Sequence, residues 1–519
     1  MSISPSSPQA RGQITEDSGD IAVVTVMWET LKAEALSRSA SQQLAGHRCV
    51  SGAPFASAEE TKNPVADDLD ELMAALPDGR VSTDPDIIDA YRRDQTTAVT
   101  PGKARCLVSA RSAGEVAVTL RWASQHDVPV VPRGGGTGLA GGATAVDGCV
   151  IVSLARMNAI VELDPADEMA VAEAGVINAD LDRAAAAHGL MYPPDPSSYE
   201  ISTIGGNLAT NAGGLRCVKY GVTRDAVLGL EVVLADGRVL RTGRRTIKGV
   251  AGYDLTSLFV GSEGTLGVIT SATLRLRPRP AQPPATVAAS FPSFDSAARA
   301  VTAILRARLQ PSLLELLDRV TLRSLDEWKN LGFGDSVQAL LIAQADSDDA
   351  ARRAEIMREK CAENGALLAD VSASEAESQQ LLDIRRLAFH ATERLGATLV
   401  EDVCVPRSRL PDMIERIERA ADRHGVLIAT VAHAGDGNLH PVFVFDRGQA
   451  DVPAHVWAAA DEVFRAALEL GGTLTGEHGV GILKRRWLAE ELGEESMAVH
   501  RAIKAALDPA GIMNPGKAI

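Results

Sequence analysis

Four residues in the C-terminal third of the chain have the types and spacing to work on one substrate. His433-Ala434-Gly435-Asp436-Gly437-Asn438-Leu439-His440 lies between two apolar runs, Val426 to Ala432 and Val442 to Phe445. Asp-Gly at its centre is a two-residue hairpin signal. Centring the turn on Asp436-Gly437 pairs His433 with His440. Directly opposed side chains on one face of an antiparallel pair lie about 4.5–5.5 Å apart at Cβ, so two such imidazoles can share a divalent ion. Further along, the glycine-rich stretch Gly471 to Gly481 carries Glu477-His478. Glu477 adds a carboxylate, completing a two-histidine, one-carboxylate set with open positions; zinc comes first, with manganese and iron as alternatives. His478 is adjacent but should point elsewhere, which frees it for proton transfer.

A second kind of chemistry is written in Val128 to Gly142, VPVVPRGGGTGLAGG. An apolar run, Val128 to Val131, ends at Pro132, and Arg133 leads into a cluster of glycines. Glycine lets a ligand approach the main chain closely, and bare N–H groups after a strand cradle a phosphate or pyrophosphate. Gly136 to Gly141 also matches the dinucleotide fingerprint G-x-G-x-x-G, but the Rossmann version needs a crossover helix straight after it. Only Ala143 to Gly148 separates this loop from the next apolar run, too few residues for such a helix. The expectation is a glycine phosphate loop in a strand–loop–strand setting.

Composition limits what such sites serve. A chain of 519 residues suits two or three domains, and 45% hydrophobic content suits a sizeable core. A net charge of -16 argues against nucleic acid. The six cysteines, Cys49, Cys106, Cys149, Cys217, Cys361 and Cys404, show no C-x-x-C, which argues against an iron–sulfur cluster or zinc knuckle. No apolar run approaches the roughly 20 residues of a membrane span, and no signal peptide is visible. The expected location is cytoplasmic, including a peripheral place at the membrane.

The elements that position these groups follow from periodicity. Residues 1–66 read as a disordered tail with one short helix over Val23 to Leu36, or as a start placed too early, Met27 or Met73 being alternatives. Helical spacing begins at Leu69, Leu72, Met73 and Leu76. Ala113 to Gln125 reads as a helix. Strands are expected at Val128 to Val131, Cys149 to Leu154, Ala159 to Leu163 and Met169 to Ala172, then a helix at Ile177 to Gly189. Two glycine-rich stretches, Ser202 to Asn207 and Asn211 to Gly214, read as backbone wrapped round a ligand. Val227 to Leu234 and Val239 to Thr242 form a hairpin across Asp236-Gly237. A third glycine cluster, Gly261 to Gly267, enters the strand Val268 to Leu276, and a proline-rich linker follows. Beyond it, strands at Val287 to Phe291, Leu313 to Asp318 and Gln338 to Gln344 alternate with helices at Ser296 to Arg308 and Ala350 to Glu363.

RGGGTGLAGG, TIGGNLATNAGG and GSEGTLGVIT, in this order, resemble the flavin-binding domain of the vanillyl-alcohol oxidase type of flavoproteins. The resemblance implies an α+β fold: a two-subdomain FAD-binding domain over residues 67–280 and an α+β substrate (cap) domain on an antiparallel sheet over residues 285–502. Residues 503–519 would then return to the first domain. It also implies that FAD is held by Pro132, Arg133, Gly134, Gly135, Gly136, Thr137, Gly138, Gly141, Asp195, Thr203, Gly205, Gly206, Asn207, Asn211, Gly213, Gly214, Tyr220, Gly221, Glu263, Gly264, Gly267, Ile269 and Asn514. Relatives that bind FAD covalently through the first loop carry His where Thr137 stands, so FAD here is expected to be non-covalent.

HAGDGNLH and TGEHGVG resemble the D-2-hydroxyacid dehydrogenase branch of that group, whose members act on D-lactate, glycolate or D-2-hydroxyglutarate. The branch implies His433, His440 and Glu477 as metal ligands and His478 as the base. An arginine ahead of Asp402-Val403-Cys404-Val405-Pro406 grips the substrate carboxylate; Arg385 matches it, and Arg386 is the neighbouring alternative. Where relatives specific for 2-hydroxyglutarate carry Thr and Lys, this chain has Phe389 and Val400, which favours a small 2-hydroxy acid, lactate ahead of glycolate. Rival readings are a 2-hydroxyglutarate enzyme, a metal-free flavin alcohol oxidase and a flavin-carrying subunit without catalysis. The electron acceptor is left as a quinone, a carrier protein or oxygen, and the oligomeric state is left open, a homodimer included.

Overall fold

The structure, a computed structural model, describes residues 66–519. The expected tail, its helix over Val23 to Leu36 and the start at Met27 lie outside the described residues. Three strands of the first sheet are parallel: Cys106–Ser109 and Val130–Arg133 flank Val150–Ser153. Val81–Ser82 closes the far edge antiparallel to Cys106–Ser109. Helix Ala113–Gln125 crosses between the first two, capped by Ser112, whose side chain accepts the Glu115 N–H at 3.2 Å. It buries Val116, Leu120 and Trp122 in the core of this sheet.

The strand entering the first glycine loop ends at Arg133, two residues beyond the expected stop. Pro132 does not break it because this strand is at the edge of its sheet, where a missing N–H costs no ladder bond. The chain's own C-terminus covers that edge. Val130 donates to the Ile512 carbonyl and Asn514 donates to the Val130 carbonyl, both at 2.8 Å. No helix follows the glycines before Val150–Ser153, in keeping with the strand–loop–strand expectation.

The second sheet is antiparallel, in the order Ile160–Asp164, Met169–Glu173, Val268–Arg275, Val227–Val233, Val239–Gly243. The stretch expected as a ligand-wrapping loop is a helix here, Ile204–Thr210, with Thr203 as its cap. Adjacent glycines are poor helix formers and hide the pattern. Packing requires them: a Cβ on Gly205 would lie 2.6 Å from Ala174 Cβ, and one on Gly134 would lie 2.5 Å from Thr203 Oγ1.

The third sheet has eight strands. Seven run in the order Leu368–Val371, Ala285–Phe291, Ala339–Ala345, Leu313–Asp318, Leu427–His433, Asn438–Phe445, Ala397–Val400, and Val403–Cys404 also pairs with Asn438–Phe445. Every pairing in it is antiparallel. Successive side chains point to opposite faces. Leu314 and Leu316 join a core with helices Phe294–Arg306, Leu410–His424 and Ala454–Glu469. Leu313 and Leu317 join another with helices Arg319–Lys329 and Glu375–Glu393. Glu315 shares the face of Leu313 and Leu317, and that face carries the site.

Asn514 pins the C-terminal segment to two glycine loops, its Nδ2 donating to Gly142 O at 2.9 Å and to Glu263 O at 2.6 Å. Asn514→Ala leaves both carbonyls without this donor and is expected to cost about 1–3 kcal/mol. The denaturant midpoint reads this, and an unchanged midpoint would remove the tether from the account.

Candidate active site

The hairpin that carries the two histidines is not the tight one expected. Strands Leu427–His433 and Asn438–Phe445 pair His433 with Asn438 and Val431 with His440, so four residues, 434–437, turn the chain. Asp436 and Gly437 both donate backbone N–H groups to the His433 carbonyl. The register is shifted by two relative to direct opposition, and an even shift keeps each side chain on its face. The histidines are therefore diagonal neighbours, within reach of aromatic side chains. Their ring centroids stand 5.0 Å apart, edge to face.

Glu477 completes the cluster. Its Oε1 lies 3.2 Å from His433 Nε2 and 3.1 Å from His440 Nε2. One ligand atom from each of the three residues falls within 4.8 Å of the others, the one such group among the described residues. His440 Nδ1 is buried without a partner. The cluster is short of positive charge. Burial pushes His433 down, yet Glu315 and Glu477 outweigh it and carry it up to about 10. Burial likewise raises Glu477, and His433 with His440 holds it well below the carboxylate range. A divalent ion on these lone pairs supplies the charge that a proton supplies in its place, so the residues fit a metal.

Glu477 and His478 sit on a loop, and buried carboxylates fix it. Asp402 Oδ2 accepts the N–H groups of Gly476 at 2.6 Å, Glu477 at 2.7 Å and His478 at 3.3 Å. Lys484, 1% exposed, donates its ammonium to Asp402 Oδ1 and, at 2.8 Å, to the Asp402 carbonyl. Burial would raise Asp402, but Lys484, His478 and His440 hold it below its usual range. Glu263 Oε1 and Oε2 accept the Val480 and Gly481 N–H groups, each at 2.8 Å, tying this loop to the third glycine cluster. His478 stacks on His440 at 4.9 Å, with Nδ1 3.7 Å from Asp402 Oδ1. Burial holds His478 down to about 4 despite Asp402 beside it, so it is neutral and able to accept a proton.

A cavity of about 380 Å³ runs from the glycine loops to this cluster. Pro132, Arg133, Gly134, Gly135, Gly136, Thr137, Gly138, Gly205, Gly206, Asn207, Glu263, Gly264, Gly267 and Ile269 line it, and so do Arg385, Arg386, Phe389, Val400, His440, Glu477 and His478. Asn207 Nδ2 is buried there without a partner, a donor suited to a ligand. Other residues expected at FAD do not line this cavity. Thr203 caps its helix and Asn211 ends it in the left-handed region, at φ 52°. Gly141 turns at φ 81°. Asp195 Oδ1 accepts the Arg216 N–H at 3.0 Å, and Gly214 packs on Asp195 with no room for a Cβ. Tyr220 donates to Asp346 Oδ2 at 2.7 Å, and Gly221 packs on Asp225. A Cβ on Gly213 would lie 2.4 Å from Glu477 Oε2. Asn514 is a tether between loops.

Arg385 lies on helix Glu375–Glu393 and donates its Nε to Glu315 Oε2 at 2.6 Å. Arg386 stands over the Tyr199 ring at 5.3 Å, with Nη1 3.6 Å from Asp383 Oδ1. Sequence reasoning overlooked Glu315, Asp402 as a loop anchor, and Lys484. The signal for Glu315 is a lone carboxylate within Leu313-Leu314-Glu315-Leu316-Leu317, since charged groups are seldom fully buried unless paired.

Two family descriptions match the chain: "FAD binding domain" over residues 104–243 and "FAD linked oxidases, C-terminal domain" over residues 281–518. The glycolate oxidase subunit GlcD of Bacillus subtilis (strain 168) is 44% identical over 414 residues, covering 79% of this chain and 88% of that protein. A D-lactate dehydrogenase of Archaeoglobus fulgidus is 36% identical over 446 residues, covering 83% of this chain and 96% of that protein. Among solved structures, 4-ethylphenol oxidase from Gulosibacter chungangensis, in its isoeugenol complex, aligns with a TM-score of 0.72 at 20% identity, over 87% of this chain and 96% of that one. That likeness is one of fold, and it bears out the expected α+β architecture of the vanillyl-alcohol oxidase type.

Removing one partner of a buried ion pair typically costs about 3–5 kcal/mol, because the other charge stays buried and unmatched. Asp402→Ala leaves Lys484 only the residue-402 carbonyl and the Glu401 carboxylate at 3.5 Å, and frees three loop N–H groups. It is expected to fall toward the lower end of that range by denaturant unfolding. A loss below about 1 kcal/mol, the range of an exposed ion pair, would show that the loop does not depend on it.

Proposed function

We propose that this chain, which belongs to the FAD-linked oxidases of the glycolate oxidase and D-lactate dehydrogenase type, oxidises a small D-2-hydroxy acid to the 2-oxo acid with the help of a divalent ion. D-Lactate is the first candidate and glycolate the second. The observation that carries this reading is one shared cavity: the glycine cradle, Arg385, His440, Glu477 and His478 all line it. FAD, when bound in the cradle, supplies the acceptor for the hydride on Cα, and Thr137 offers no imidazole for a covalent bond to it. A divalent ion on His433, His440 and Glu477, zinc ahead of manganese or iron, supplies Lewis acidity toward the 2-hydroxyl.

The protein's own groups do the rest. Arg385 binds the substrate carboxylate, its planar fork matching two oxygens at once. His478, neutral and facing the same cavity, accepts the hydroxyl proton as the C–H bond breaks. Phe389, Val400, Val431 and Val442 give that end of the cavity an apolar wall. A methyl group or a hydrogen on Cα suits such a wall; a second carboxylate would have to turn from it toward Arg386, which lines the same cavity.

Anaerobic addition of D-lactate to the purified yellow protein is expected to bleach the flavin, with L-lactate inert and prior chelation abolishing the response. Faster bleaching by D-2-hydroxyglutarate would shift the substrate; bleaching untouched by chelation would favour a metal-free oxidase. His478→Asn should keep its flavin and slow that reduction by about 10²–10⁴, and reduction at the wild-type rate would take His478 out of the reaction.

A further inference from the structure

Glu315 is fully buried, and each of its carboxylate oxygens has one partner from a different part of the chain. Oε1 lies 2.7 Å from His433 Nδ1, and Oε2 accepts Arg385 Nε at 2.6 Å. The first contact is set by the sheet, because Glu315 on Leu313–Asp318 is the residue directly opposite His433 on Leu427–His433. Opposed residues of an antiparallel pair point to the same face. The second contact comes from helix Glu375–Glu393, which packs across that face. A carboxylate on Nδ1 fixes the imidazole with its proton there and turns the Nε2 lone pair toward Glu477 and His440. The same carboxylate on Nε orients the guanidinium, leaving its two terminal NH₂ groups for another anion.

Resting on the reaction proposed above, we propose that Glu315 is a positioning residue that couples the ion site to the substrate clamp. It sets the tautomer and angle of His433 and the heading of Arg385 through one rigid group, so the hydroxyl-binding and carboxylate-binding points are held at a fixed separation. A carboxylate that only neutralised a buried arginine would have no effect on the ion. Carboxylate partners of ligand histidines typically change metal affinity by about 10–100-fold when removed.

The test uses the FAD-loaded full chain and two binding readouts. Zn²⁺ affinity is measured with a competing chelator, and pyruvate affinity is measured in the metal-free protein by perturbation of the flavin spectrum. In Glu315→Gln the amide NH₂ must face one of the two donors, His433 Nδ1–H or Arg385 Nε–H, so the side chain is driven from its place between them. Zn²⁺ binding should weaken about 10–100-fold and pyruvate binding should weaken with it. Glu315→Asp keeps the charge but is one methylene short of both partners, and should weaken both affinities together; it decides the matter where Glu315→Gln does not fold. A folded variant of either kind with wild-type affinity for either ligand overturns the coupling. Wild-type protein that binds neither Zn²⁺ nor pyruvate would overturn the proposed reaction itself, an outcome distinct from failure of the coupling.

Discussion

Buried carboxylates hold this molecule's functional region together. Asp402 and Glu315 have no exposed surface and Glu263 has little. An ionised carboxylate away from water is costly unless it is paired and hydrogen-bonded. Each of these groups therefore draws partners from distant sequence: Asp402 from residues 476–484, Glu263 from residues 480 and 481, Glu315 from Arg385 and His433. The need to satisfy these charges brings the glycine loops, the eight-stranded sheet and the Glu477–His478 loop to one place. Hydrophobic packing builds the sheets and their cores, but it has little directional preference. The polar pins fix which residues face one another.

Parity within the eight-stranded sheet does the rest of the placing. Glu315, His433, Val431, His440, Val442 and Val400 are linked by direct pairings or by steps of two along a strand, so all share one face. This explains why an incorrect turn geometry left the site intact. A two-residue turn predicted direct opposition of His433 and His440, and the observed four-residue turn moved the register by two. A shift of one would have sent one histidine into the opposite core, among Leu314, Leu316 and Phe443. The chemistry tolerates sliding by pairs and not by single residues.

The parts readable in the sequence are those with dense local signals. Three glycine clusters, the histidine pair and the Glu-His dipeptide each stand within about a dozen residues, and the alternation of strands and helices in both halves is regular. What escaped depends on long-range pairing. Glu315 sits 70 residues from Arg385 and 118 from His433, and nothing near it in the chain names either partner. The helix Ile204–Thr210 was masked because its glycines, demanded by contact with Ala174 and the first loop, are the residues that argue locally for a turn. The extra strand length at Pro132 became explicable only once that strand was seen at a sheet edge covered by residues 512–514.

The elements that carry the site differ in stiffness, and the pins match that difference. Arg385 rides on a helix of 19 residues and the histidines on paired strands, both held by regular hydrogen bonding. Glu477 and His478 ride on a glycine-rich loop, which has no such ladder. Asp402 supplies the missing order by taking three successive loop amides on one oxygen, with Glu263 taking two more just beyond. On the proposed reaction a D-2-hydroxy acid is gripped at its carboxylate, its hydroxyl and its Cα hydrogen, by groups on a helix, a hairpin with its adjoining loop, and the glycine cradle. Discrimination of handedness needs those three points fixed relative to one another, so the least regular of the three carries the most anchors.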